Sequence, residues 1–214
     1  MYSYKINNDP EPIRLFKSDF MEFFTHIHPA VVVAIWAPVA IFFLVRGIVT
    51  RPAGISLWII PLGYVIGLFL WTLAEYLLHR FLFHHHPRNA REERIFFLFH
   101  GIHHAQPQSK TRLVMPPIVS IPLALLFYGL FVLVMGVIFK EGYWIAPLFS
   151  GFISGYLAYD LTHYATHHFS MRRGMWKWLK RHHMRHHYKV PYMRFGVSSP
   201  LWDYVFNTMG ENTD

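Results

Sequence analysis

The residues that could do chemistry in this 214-residue chain are overwhelmingly histidines. There are 16, and all except His26 and His28 fall into four clusters: His79, His84, His85 and His86; His100, His103 and His104; His163, His167 and His168; His182, His183, His186 and His187. In a helix each residue advances about 100°, so positions i, i+3 and i+4 share a face. His100, His103 and His104 would therefore present three imidazoles within an arc of about 100°, and His183, His186 and His187 repeat the arrangement. His163 and His167 are one helical turn apart. His79 and His84, five residues apart, would lie about 140° around a regular helix, so they either serve different metals or straddle a helix end. Neutral imidazole suits iron, zinc, copper and nickel. These rings are too many for one ion, and two ions are the economical inference. Glu75 sits one turn before His79 and Asp160 three residues before His163. Each could accept a hydrogen bond from a ligand's second ring nitrogen and so fix its tautomer. His85, His86, His168 and His182 lie off the repeating pattern and read as solvent-facing or supporting groups, and His26 and His28 as interfacial side chains. The absence of cysteine removes disulfides, iron–sulfur clusters and thiolate-ligated haem.

Rings so far apart in sequence need elements that gather them. The chain is 53% hydrophobic and only 15% charged, against roughly a quarter charged in soluble domains, which points to lipid. Four apolar stretches predict membrane spans at about residues 30–49, 53–78, 117–139 and 143–165. The links between spans one and two and between three and four are short, so the four transmembrane helices form two hairpins. Residues 79–116 and 166–214 are then expected to form a helical cap holding a dimetal site, the whole being a single all-α membrane-embedded domain over 1–214. Of the 20 Lys and Arg residues, only Arg46, Arg51 and Lys140 fall on the side opposite the cap. That bias puts both termini and all four histidine clusters on the cytoplasmic side, in a bacterial cytoplasmic membrane or the endoplasmic reticulum. It also accounts for the net charge of +8 without nucleic acid. The first twenty or so residues are mixed and polar, which gives no sign of a cleavable signal peptide.

The histidine set His79-x4-His84, His100-x2-His103-His104, His163-x3-His167-His168 and His183-x2-His186-His187 resembles the fatty acid hydroxylase superfamily of membrane di-iron enzymes. Within it the chain is most similar to fatty acid and sphingolipid 2-hydroxylases. The stretches that carry this are His79-Arg80-Phe81-Leu82-Phe83-His84, His100-Gly101-Ile102-His103-His104 and Arg112-Leu113-Val114-Met115-Pro116-Pro117. Gly155-Tyr156 through Tyr159-Asp160, His163-Tyr164, Phe195-Gly196-Val197-Ser198-Ser199 and Leu201-Trp202-Asp203 complete it, so the similarity runs from about Glu75 to Thr208. The resemblance implies metal ligation by His79, His84, His100, His103, His104, His163, His167, His183, His186 and His187. One departure is Gln108 and Ser109 after Pro107, where the family usually has a Pro-x-Asp turn. Eukaryotic relatives often carry a fused haem domain before the first span, and only about twenty residues stand before Phe20 here, so electrons are expected from a separate carrier.

The implied reaction is hydroxylation of a long acyl chain, free or in a sphingolipid, at the carbon next to the carbonyl. It would use dioxygen, two iron ions and two external electrons, with zinc able to replace iron in purified protein because imidazole sites bind it more tightly. Phe81, Phe83, Tyr159, Tyr164, Met115 and Trp202 could line the acyl chain, although ordinary packing explains each. Sterol desaturase or methyl oxidase and carotenoid hydroxylase share the metals and differ in the pocket. A metal transporter would place ligands near the membrane midplane, whereas the interiors of all four expected spans lack histidine.

Overall fold

The structure, a computed structural model, describes residues 5–210, and every regular element among them is helical. Helix α1 (Asp19–Phe23) is capped by Ser18, and α2 (Pro29–Val49) opens with proline, which suits a first helical position. Helix α3 (Ile59–Leu77) continues as a π-helix over Leu78–Phe83. Helix α4 (Ala90–Phe96) begins at an Asn89 cap whose side chain accepts from the Glu92 N–H, then runs through a π-helical turn (Phe97–Gly101) into α5 (Ile102–Ala105). Helix α6 (Pro117–Phe131) also ends in a π-helical segment, Val132–Ile138. Helices α7 (Ile145–His168), α8 (Gly174–Tyr188) and α9 (Leu201–Val205) complete the order.

Among the described residues, three helices are long and apolar enough to cross a membrane: Pro29–Val49, Ile59–Phe83 and Pro117–Ile138. Two match their expected boundaries closely. The second starts later than expected, because Gly54 adopts a left-handed conformation (φ 90°) in a turn where the Ile55 N–H bonds the Pro52 carbonyl. The expected fourth span is helical, as α7, but does not meet the same criterion. Serine, glycine, tyrosine and Asp160 interrupt its apolar character, and Phe149, Phe152, Ile153 and Tyr156 are buried. A helix enclosed by protein does not need a lipid-facing surface, and α7 is accordingly the least apolar of the four.

The chain divides into two compact units. One comprises Pro29–Trp71 and Met115–Ala158. Within it α3 and α7 touch backbone to backbone at glycines: a Cβ on Gly67 would come within 2.1 Å of the Leu148 carbonyl oxygen, and one on Gly151 within 1.9 Å of that of Tyr64. Such small-residue crossings let membrane helices pack closely. Around them Trp71 packs edge-on against Phe152 and Tyr156, and the Ser150 hydroxyl donates to the Ala40 carbonyl at 2.8 Å.

The other unit comprises the described residues up to His28, Thr72–Val114 and Tyr159 onward. Every histidine of the four clusters belongs to it. Its N-terminal segment is lashed down along the stretch that follows α5. The Asn7 N–H donates to the Ala105 carbonyl at 2.8 Å, the Ile13 N–H to the Gln106 side chain at 2.9 Å, and Arg112 bonds the Ile13 carbonyl and Glu22. Arg112 of the Arg-Leu-Val stretch thus has a structural task. Ser109, where the family's turn carboxylate is missing, is fully buried.

Candidate metal centre

Ten of the histidines of this unit converge into two groups of five. His79, His84, His100, His104 and His186 form one; His103, His163, His167, His183 and His187 form the other. In each group the candidate ligand atoms all lie within 4.8 Å of one another. The groups abut, with the His104 ring stacked on His187 at 4.1 Å between centroids.

Local helix geometry explains the sorting. His163 and His167, one turn apart on α7, stay together, as do His183 and His187 on α8 and His100 and His104 across the π-turn and α5. In each His-x-x-His-His triplet the middle residue points elsewhere: His103 joins the group of His183 and His187, and His186 joins that of His100 and His104. His79 and His84 also meet, although five residues would splay them on an α-helix. The π-helix resolves this, because its i→i+5 bonding brings such residues into register, and the His84 N–H bonds the His79 carbonyl at 3.1 Å.

The spacing of the ring nitrogens tests whether metal fits. In the first group Nε2 atoms lie 3.1 Å apart for His79 and His100, 3.0 Å for His100 and His104, and 3.2 Å for His104 and His186. In the second the separations are 2.9 Å for His103 and His163, 2.9 Å for His103 and His187, 3.0 Å for His183 and His187, and 2.9 Å for His167 and His183. Two nitrogens each about 2.1 Å from one ion and at right angles stand about 3.0 Å apart. The alternative, a web of ring-to-ring hydrogen bonds, cannot close between His79 and His186. Each donates its Nδ1–H to a backbone carbonyl, of Phe195 and Met193 respectively, which leaves Nε2 a bare lone pair. His100 and His104 would then both have to donate outward, which sets two N–H groups face to face across their own 3.0 Å contact, whereas a cation shared by the lone pairs satisfies all four rings. Burial, reinforced by neighbouring rings, pushes His84, His100, His103, His104, His183, His186 and His187 well below the ordinary imidazole value, so they are neutral at pH 7. Buried, neutral and convergent imidazoles fit one metal ion in each group.

The fatty acid hydroxylase family model matches residues 64–208. The chain belongs to the fatty acid hydroxylase family. A dihydroceramide fatty acyl 2-hydroxylase of Arabidopsis thaliana is 38% identical over 92% of this chain and 79% of its own length. The fatty acid 2-hydroxylase of Rattus norvegicus is 35% identical over 92% of this chain and 57% of its own, so this chain spans little more than half of that relative. A solved structure of full-length Scs7p, with only its hydroxylase domain visible, superposes with a TM-score of 0.82 at 35% identity, covering 92% of this chain and 72% of that one. The resemblance read from the motifs is therefore borne out, and the chain is an integral membrane protein of this family.

The family's Phe-Gly-Val-Ser-Ser and Leu-Trp-Asp stretches acquire a physical role. Segment 193–198 supplies both carbonyls that orient His186 and His79, and buried acids hold it in place. Asp203 accepts the N–H groups of Phe195 and Gly196, each at 2.8 Å, the Thr208 hydroxyl at 2.8 Å and the His182 ring at 3.1 Å. Burial would raise its pKa, but His182 and these donors outweigh that and hold it low. Gly196 is required, because a Cβ there would stand 2.0 Å from the Ser199 carbonyl oxygen, and Arg194 takes a left-handed conformation (φ 61°).

Glu75 is part of the same clamp. Its carboxylate accepts from the N–H groups of Val197 (2.6 Å) and Ser198 (2.8 Å) and from the Ser198 hydroxyl. The expected direct bond from His79 to Glu75 is replaced by His79 to Phe195, so Glu75 acts on that ring only through the segment it pins. Asp160 is fully buried, one turn before His163. Among the off-pattern histidines, His86 stacks on Tyr192 and His85 faces Glu92 at 3.6 Å. His168 packs against Tyr164, while His182 is fully buried between Arg194 and Asp203. Sequence reasoning passed over Asp203, Arg194 and Thr208. The one available signal was Asp203 inside the Leu-Trp-Asp stretch.

Proposed function

We propose that this chain hydroxylates a long fatty acyl chain at carbon 2, as the free acid or within a sphingolipid such as a ceramide, with dioxygen and two iron ions. The observation that carries the reading is the pair of five-imidazole groups in a family whose relatives are named as acyl 2-hydroxylases. His79, His84, His100, His104 and His186 would hold one ion, and His103, His163, His167, His183 and His187 the other. Zinc would substitute in purified protein. The bound metals supply dioxygen activation, with one oxygen atom entering a C–H bond and the other leaving as water on delivery of two electrons and two protons.

The remaining contributions come from the chain. The carbonyls of Met193 and Phe195 keep the Nδ1 protons of His186 and His79 in place, so their Nε2 lone pairs face inward. Asp160 is positioned to support His163, and Glu75 and Asp203 steady the segment that supplies the carbonyls. Burial limits the access of water to the second group: His103, His163, His167, His183 and His187 are all at most 6% exposed. The two compact units act as one membrane-embedded hydroxylase domain, with both termini and the metals on the cytoplasmic side, a placement the Lys and Arg distribution supports. Electrons come from a separate carrier protein.

Lipid mass spectrometry of a host expressing the protein, against a His103→Ala control, tests this. A gain of one oxygen at carbon 2 of acyl chains is expected. Loss of two hydrogens from a sterol, with acyl chains unchanged, would instead select the sterol-desaturase reading.

A further inference from the structure

A cavity of about 170 Å³, separate from the imidazole groups, opens on α8 and the segments after it. It is lined by Trp178, Arg181, His182, Arg185, Arg194, Tyr204 and Met209, with no acidic residue in its lining among the described residues. The sequence concentrates charge here: between Asp160 and Asp203 it has Arg172, Arg173, Lys177, Lys180, Arg181, Arg185, Lys189 and Arg194 and not one Asp or Glu. Positive-inside bias explains basic residues near a membrane, but not three arginines converging on one concavity.

The wall of the cavity also leads to both imidazole groups. His182 is the chain neighbour of His183 in the second group. Its Nε2–H donates to Asp203, which accepts the Phe195 N–H, and the Phe195 carbonyl accepts from His79 of the first group. Arg194 donates to the other nitrogen of His182 at 3.2 Å. A short bonded path thus joins this basic concavity to the site where electrons are needed.

We propose that this arginine-lined cavity is the docking site for an acidic one-electron carrier protein, a carboxylate of which pairs with Arg181 and Arg185, while buried Arg194 links the cavity to His182. The proposal rests on the hydroxylase reading for its purpose, but not for its measurement. The carrier is oxidised by one electron at each docking, and two dockings supply the two electrons of one hydroxylation. Guanidinium groups suit this role, since they stay charged and pair with carboxylates bidentately. An anionic lipid headgroup fits the charge, yet gives no reason for the path through His182.

The test uses the full chain in phosphatidylcholine nanodiscs and a plant-type [2Fe–2S] ferredoxin as the acidic probe. The Arg181→Glu, Arg185→Glu double variant is expected to bind it at least about tenfold more weakly at low salt, with wild-type affinity also falling as salt rises. Product formed with a small diffusible reductant, dithionite-reduced methyl viologen, should stay within about twofold, with bound metal unchanged. The Arg181→Lys, Arg185→Lys variant keeps most of the binding and separates loss of charge from loss of fold. Unchanged ferredoxin affinity in the Glu variant overturns the proposal. So does loss of binding to phosphatidylserine vesicles with ferredoxin binding intact, which would make this a lipid site. If the wild type yields no hydroxylated acyl chain with either reductant while the tenfold binding loss persists, the hydroxylase reading fails and the docking site stands.

Discussion

The two imidazole groups are assembled by the same recipe and finished differently. Each takes a pair of histidines from the end of a long helix, an i, i+4 pair from one triplet and the middle histidine of the other triplet. In the first group two rings are then anchored to backbone: His79 to Phe195 and His186 to Met193. In the second, the Nδ1 atoms of His103, His167, His183 and His187 are buried without a hydrogen-bond partner among the described residues. The first group also borders a cavity of about 200 Å³ lined by His84, His100 and His104, which His187 alone reaches from the second. The first group is therefore partly anchored to backbone and borders a cavity with three of its rings, whereas four rings of the second have no such anchor among the described residues. Orientation by hydrogen bonds is what allows a site to stay open. Without such bonds, enclosure must hold the rings.

The largest effect should come from removing the histidine each triplet lends across. His103→Ala or His186→Ala is expected to reduce product below detection while the protein still inserts, and metal analysis should fall from two ions per chain toward one. Retained activity in either variant, or a single ion in the wild type, breaks the pairing scheme.

Asp203→Asn separates the two groups directly. It loosens the segment carrying the Phe195 and Met193 carbonyls, and should weaken metal at the first group by about 10–100-fold, leaving the second unchanged. Competition against a graded series of chelators reads this. Equal losses at both groups would mean that the clamp serves the whole unit and not the carbonyl-anchored rings.

A smaller, kinetic difference follows from access. A water-soluble chelator should strip the protein in two phases, the faster ion leaving the group beside the cavity at several times the rate of the other. A single phase with both ions released together would remove the distinction between open and closed.

The smallest effect is expected for Glu75→Gln. The amide oxygen can still accept from Val197 and Ser198, and the Ser198 hydroxyl can turn to accept from the amide nitrogen, so the loss should be about 1 kcal/mol or less. Thermal unfolding in detergent checks it, and Glu75→Leu, which leaves three donors unmet, should cost clearly more.

Much of this centre could be read from the sequence because it depends on local periodicity. Imidazoles at i, i+3 and i+4 pointed to a shared cluster, their abundance to more than one group, and three apolar runs to their helices within a few residues. The fourth run was harder, since α7 is buried by neighbouring helices and serine, glycine and tyrosine satisfy it there. The direct His79–Glu75 bond was a reasonable reading of one-turn spacing. It does not form, because segment 193–198, distant in sequence, occupies both side chains: the Phe195 carbonyl takes His79, and the N–H groups of Val197 and Ser198 take Glu75.

The sequence by itself determined the side chains available to a metal, how they fan from each helix, and that three helices of the chain are apolar enough for lipid. Only the tertiary structure decided the partition, sending His103 and His186 across and bringing His79 and His84 together on a π-helix. An arc of about 100° can serve one ion or two, depending on where the facing helix places its own rings, and that depends on contacts between residues far apart along the chain.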